Sequence, residues 1–260
     1  MEQYVITPAA GKRLIAKGIA MHPEIQKVLH GSGTMVITAG TTNGYVAEEI
    51  LAIIGGIEEF QRNRFFRGIT VPPSFPVSAG PGAGGDGKPH GDVGDIIITD
   101  GVWQKDKMFI DVVDSLTEGD IIIKGANALD MNRKRAAICV GHPKAGTIGI
   151  ALQATIGRRV RLIIPVGLEK RIFGDIDDLA RRLNSPGMSG PRLLPVPGEV
   201  FTELDALQLL TGVKAELIAG GGVCGAEGSV RIAVSGEAGQ LKAADDLLNS
   251  ILAEPLFSLD

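Results

Sequence analysis

The sequence predicts an α/β protein: an open, mostly parallel sheet with helices on both faces, plus a smaller C-terminal α+β region. Three observations carry this. Short aliphatic runs such as Ile96–Ile98 and Ile121–Ile123 have the length and β-branching of strands buried on both faces. Segments with apolar residues at helical spacing alternate with these runs along most of the chain, as in βαβ units. Polar turns containing small residues follow several of the runs, where a parallel sheet hands the chain to its next helix.

The elements follow in order. Residues 8–29 read as helical in two pieces, because Pro23 lacks an N–H and restarts the helix just after His22. Residues 34–40 are a buried strand, 41–43 a turn, and 44–54 a helix with Val46, Ile50, Leu51 and Ile54 at helical spacing. The glycine-rich stretch 78–94 fits neither a helix nor a central strand and reads as a long loop that could act as a lid. Residues 95–101 form a strand. Residues 119–130 repeat the design, with a polar turn, three isoleucines and then Lys124-Gly125-Ala126-Asn127. Strands follow at 136–141 and 160–167, with a glycine-punctuated loop and a short helix between them. Residues 1–174 are thus read as an α/β ligand-binding domain.

Past Gly174 the texture changes. Residues 175–184 are helical with Asp175 as N-cap, 192–197 are extended, and 199–212 form a helix closed by Gly212. Strands at 214–220 and 229–236 flank a glycine turn, and 238–253 is a helix. Residues 175–260 read as a smaller α+β lobe or as an extension of the same sheet.

Glycine is the compositional outlier, at 36 of 260 residues, about twice the usual share. It belongs in turns and wherever backbone approaches a ligand closely. A net charge of −4 without a long basic cluster argues against a nucleic-acid partner. The absence of an apolar run near about 18 residues argues against a membrane span. No secretory pattern is visible at the N-terminus, so a cytoplasmic location is expected. Cys139 and Cys224 read as buried, reduced thiols.

Two stretches match the dinucleotide spacing G-x-G-x-x-G, at Gly80, Gly82 and Gly85 and at Gly220, Gly222 and Gly225. An NAD-dependent oxidoreductase would need a helix directly after one of them. Gly82 to Lys88 fits most of a P-loop, but Pro89 stands where the magnesium-binding hydroxyl belongs. Asp86, His90 and Asp92 form a short group of ligand types, read as a solvated loop or lid. No metal and no cofactor is expected.

The stronger signal lies at the strand ends, because open parallel sheets bind ligands beyond their carboxyl edges. Four polar loops are candidates: Gly40-Thr41-Thr42-Asn43, Thr99-Asp100-Gly101, Lys124-Gly125-Ala126-Asn127, and His142 to Thr147 with Lys144 and Gly146. The first and last lead into helices, whose N-termini can hold a phosphate or carboxylate. Asp100 and Lys124 are candidates for proton transfer beside a carbonyl, and His142 for an acid/base role. Glu169 and Lys170 follow another strand and could reach the same edge. The expected ligand is a small anionic metabolite.

This order of motifs resembles the superfamily of ribose-5-phosphate isomerase A, glucosamine-6-phosphate deaminase and coenzyme A transferases, over residues 12–170. Gly40, Thr41, Thr42 and Asn43 stand where the isomerases carry a sugar-phosphate-binding turn. Asp100-Gly101 matches the start of their Asp-Gly-Ala-Asp-Glu motif, and Lys124-Gly125-Ala126-Asn127 their Lys-Gly-Gly-Gly motif. The resemblance implies isomerase- or transferase-like acid/base chemistry on a phosphorylated or carboxylated metabolite, and a homo-oligomer. The position of the isomerases' general-base glutamate is Arg133 here, with Asp130 as the nearby carboxylate. That departure raises the alternative of a ligand sensor or regulatory subunit without turnover.

Overall fold

The computed structural model describes residues 1–67, 69–70 and 94–258. The chain opens with β1 (Glu2–Ile6), α1 (Pro8–Ala20), α2 (Pro23–His30), β2 (Thr34–Ile37) and α3 (Thr41–Ile54). The middle holds β3 (Ile96–Thr99), β4 (Val102–Trp103), α4 (Phe109–Val112), β5 (Ile121–Ile123), β6 (Ala128–Asp130), β7 (Arg135–Val140), α5 (Gly146–Arg158) and β8 (Arg161–Pro165). Then come α6 (Ile176–Leu183), β9 (Arg192–Val196), β10 (Glu199–Phe201), α7 (Glu203–Thr211), β11 (Lys214–Gly221), β12 (Ser229–Ser235) and α8 (Ala238–Ile251).

Local chemistry sets the helix ends. Thr7 caps α1 by accepting from the Ala10 N–H, and Pro8 occupies a first-turn position where its missing N–H costs nothing. The break before Pro23 is as predicted, with the His22 ring capping the Glu24 N–H. Asp175 caps α6 through the N–H groups of Asp177 and Asp178, as the sequence suggests. Gly212 closes α7 in the left-handed region at φ +75°.

The central sheet has six strands in the order β10-β8-β5-β2-β3-β4. β10, β8, β5 and β2 are parallel, whereas β3 and β4 run antiparallel, so the sheet is mixed rather than mostly parallel. The reason is a hairpin. Asp100 and Gly101 both have positive φ, +51° and +73°, and Thr99 pairs with Val102 across them. This is the geometry of a type I′ turn, which Asp-Gly favours. A second sheet, β1-β12-β11, joins the two ends of the sequence, and a third, β6-β7-β9, flanks the central one.

Two further expectations are corrected. Residues 199–201 are strand β10, not the start of a helix, because they pair with β8 and α7 begins only after its cap Thr202. Thr41–Asn43 are the first turn of α3 rather than a separate turn. The triple-isoleucine runs are buried as predicted. α1 packs against both α3 and α7, and Gly18 sits where α1 meets α7: a Cβ there would lie 2.8 Å from Ala206 Cβ and 2.9 Å from Phe201 Cε1. Among the described residues, no helix is long and apolar enough to cross a membrane.

Candidate functional site

The parallel strands β2, β5, β8 and β10 end on one side of the sheet. Hydrogen bonds continue their registers past the strand ends, from Thr38 N to Ile123 O, Lys124 N to Ile163 O and Val166 N to Phe201 O, each 3.0 Å. Beyond this edge opens a cleft of about 850 Å³. Its walls come from residues 40–43, 124–127, 138–142 and 145–148, from Glu169 and Lys170, and from Lys12, Arg67 and Phe257 among others. Three of the four loops predicted to converge therefore do so.

The α3 end of the cleft is built from the backbone upward. Gly40 provides no side-chain cap, so the N–H groups of Thr41, Thr42 and Asn43 lack the capping partner that Thr7, Asp175 and Thr202 give their helices. Asn43 is fully buried, and its amide donates to Thr38 O at 2.8 Å and Ile123 O at 3.0 Å, which fixes the other end of the amide as an acceptor. That acceptor, Oδ1, and the hydroxyl of Thr42 are both buried without a hydrogen-bond partner. α5 also enters without a side-chain cap, from Ala145 in the left-handed region at φ +60°. Gly146 and Thr147 in its first turn line the same cleft.

The cleft is rich in charge. Lys124 directly follows β5 and lines the cleft, and burial pushes its ammonium down to about 8. Asp95 opposes this shift, whereas the positive charges of Lys170 and Arg67 add to it. Among the described residues its ammonium makes no hydrogen bond or ion pair. Its neighbours are tied down. Lys170 donates to Ala126 O at 2.8 Å, and Arg67 pairs with Asp95 at 2.6 Å. Asp95 is itself buried and accepts from Ala39 N at 2.9 Å, pinning the segment that leads into α3. Burial also lowers Lys170 and Lys12, the latter facing the Phe257 ring at 6.0 Å. Behind this wall Glu203 accepts from Leu168 N at 3.0 Å, in space left open by Gly11. Burial, reinforced by the charge of Glu169, pushes the Glu203 carboxyl up to about 8.

Several predicted site residues lie elsewhere. Asp100 and Gly101 form the β3–β4 turn, where Asp100 accepts from Gly33 N at 3.0 Å. Because β3 is antiparallel, that turn faces the start of β2, at the edge opposite the cleft. Asp95, at the other end of β3, is the aspartate that reaches the cleft edge. Asp130 accepts from Asn132 N and Arg133 N in the β6–β7 turn and does not line the cleft, and Arg133 pairs with Asp175. Asn127 lines the cleft with its side-chain oxygen committed to Cys139 N at 2.9 Å. His142 lines it and accepts from Lys144 N at 3.1 Å, while Lys144 is exposed and outside the lining. Gly125 and Thr41 belong to the wall. Cys139 and Cys224 are exposed rather than buried, Cys139 on the cleft wall and Cys224 in the β11–β12 turn.

No helix follows Gly225: the chain turns directly into β12. The spacing at Gly80–Gly85, the partial P-loop to Lys88, and the Asp86, His90 and Asp92 group lie outside the described residues. Among the described residues, no cluster of three His, Cys, Asp or Glu side chains could hold a metal.

Sequence reasoning missed Lys12, Arg67, Asp95 and Glu203. Asp95 was detectable in one respect: it immediately precedes a triple-isoleucine strand as Lys124 immediately follows one. Only the antiparallel course of β3 brings these two flanks to the same edge. No protein-family model, curated protein or solved structure matches this chain.

Proposed function

We propose that the protein is an enzyme that binds a small phosphorylated or carboxylated metabolite in the cleft and moves a proton on it. One observation carries the reading: the uncapped first turn of α3 holds a buried hydroxyl, Thr42 Oγ1, with no partner. Leaving such a group unpaired costs about 1–3 kcal/mol. A ligand oxyanion accepting from this hydroxyl and from the helix N–H groups would recover that cost, with the helix dipole favouring its charge. Asn43 Oδ1, an acceptor, suits a ligand hydroxyl. Lys124 brings a proton-exchanging group near neutrality to the cleft, and Glu203 places another behind its wall. The resemblance to the isomerases, deaminases and coenzyme A transferases points the same way. It also suggests a homo-oligomer, which light scattering would check.

Thermal-shift measurements with inorganic phosphate, sugar phosphates and coenzyme A esters test the binding. Deuterium exchange from solvent into any stabilising carbonyl ligand tests the chemistry. Lys124→Met is expected to abolish exchange while the circular dichroism spectrum stays unchanged. An unaltered exchange rate in that variant would remove Lys124 from the mechanism. Lack of stabilisation by every anion would remove the reading itself.

A second reading, a ligand sensor without turnover, is favoured by Arg133 and Asp130. Neither supplies a carboxylate to the cleft at the place where the isomerases carry their base. Stabilisation by an anion with no exchange and no product would support it.

A further inference from the structure

Resting on the reading of α3 as an anion site, we propose that Lys124 is a nucleophile that forms an imine with the carbonyl carbon of a ligand anchored there by its phosphate or carboxylate. Three geometric facts support it. The stem of Lys124 is fixed, because its backbone N–H extends the β5–β8 register to Ile163 O at 3.0 Å. Lys124 lines the cleft, and its amine makes no hydrogen bond or ion pair among the described residues, whereas Lys170 is bound to Ala126 O and Arg67 to Asp95. Thr42 and Asn43, whose hydroxyl and amide oxygen are buried without partners, line the same cleft, so a ligand anchored there would present its remaining atoms toward the β5 end.

The electrostatics agree with the geometry. Burial disfavours the charged form of Lys124, and the cations Lys170 and Arg67 add to this against the single opposing charge of Asp95. A desolvated lysine beside other cations is the usual way an amine is kept nucleophilic near neutral pH. The step balances without a co-reactant. The neutral Nζ lone pair attacks the carbonyl carbon, and the carbonyl electron pair moves to oxygen, which takes up a proton. The nitrogen gives up one proton to leave the carbinolamine; its lone pair then forms the C=N bond as the hydroxyl takes up a second proton and departs as water, and the nitrogen gives up its second proton.

The test is reductive trapping on the full chain with sodium cyanoborohydride. Pyridoxal phosphate serves as a phosphate-bearing aldehyde probe and pyridoxal as its phosphate-free counterpart, with the modified lysine located by peptide mass spectrometry. The expected result is a single adduct at Lys124, formed about tenfold faster from the phosphate ester, as a few charge-assisted hydrogen bonds would give. It should be absent in Lys124→Met. Thr42→Val should reduce the preference for the phosphate ester. Labelling at Lys12 or Lys170, or spread over exposed lysines, would overturn the proposal. Absence of an adduct while inorganic phosphate still raises the Tm would overturn the imine and leave the anion site standing. Equal labelling of Lys124 by both aldehydes would support the nucleophile and overturn the anion site.

Discussion

Thr42 is 2% exposed, and its hydroxyl has no partner inside the protein. Replacing it with the near-isosteric valine removes the unsatisfied group and adds no volume. Thr42→Val is therefore expected to leave the ligand-free stability within about 1 kcal/mol of the parent, or to raise it. The rise in Tm caused by phosphate should shrink. Urea melts without phosphate measure the first effect and thermal melts with and without phosphate the second. Glu203 makes a pH-dependent contribution. Burial, then the charge of Glu169, raises its carboxyl from 4.5 to about 8, so the folded chain holds this proton more tightly than the unfolded chain does. Stability contributed by the protonated group is complete below 4.5 and is lost as pH rises towards and through about 8. Glu203→Gln keeps an acceptor for Leu168 N and should flatten that decline. A set of denaturant midpoints across this pH range would show it, and parallel slopes for the two proteins would exclude Glu203 as their source.

At the scale of elements, α1 and α7 approach so closely that only glycine fits at residue 18. Alanine is the better helix former by about 1 kcal/mol, but the contacts with Ala206 and Phe201 oppose that gain. Overpacking costs about 1–3 kcal/mol, so Gly18→Ala is expected to lower stability on balance, read as a lower midpoint at an unchanged denaturant slope. The elements also show what the sequence could reveal. Buried strands were legible because three isoleucines in a row can only be covered on both faces. The helix at 176–183 was legible because an aspartate N-cap has a local mechanism. Strand direction was not local. Asp100-Gly101 fits a ligand-binding strand end and a type I′ hairpin equally well until β3 is paired, and the pairing chose the hairpin. The site was legible in half-measure for the same reason. Loops following parallel strands converged as expected, whereas Asp95, Arg67, Lys12 and Glu203 arrive through orientation and packing between distant segments.

At the scale of the whole molecule, the segment after α8 returns across α1 and α3 to the cleft, where Phe257 becomes part of the wall. Glu254 holds it there, accepting from Arg13 Nε at 2.9 Å and Arg62 Nη1 at 2.8 Å. Both guanidiniums lie over the Tyr45 ring, Arg62 at 3.9 Å. The group is partly buried and its charges share partners, so it is worth more than an isolated surface pair. Glu254→Gln is expected to cost about 1 kcal/mol in low salt, and less as salt screens the network. Thermal melts at two ionic strengths would test this, and a salt-independent loss would contradict it. The pairing of β1 with β12, with Glu2 opposite Val234, has a consequence for biosynthesis. While the chain emerges from the ribosome, β1 has no partner until β12 has been made, and its backbone edge stays open to pairing with other chains. Nascent fragments that carry β1 but not yet β12 should therefore depend on chaperones.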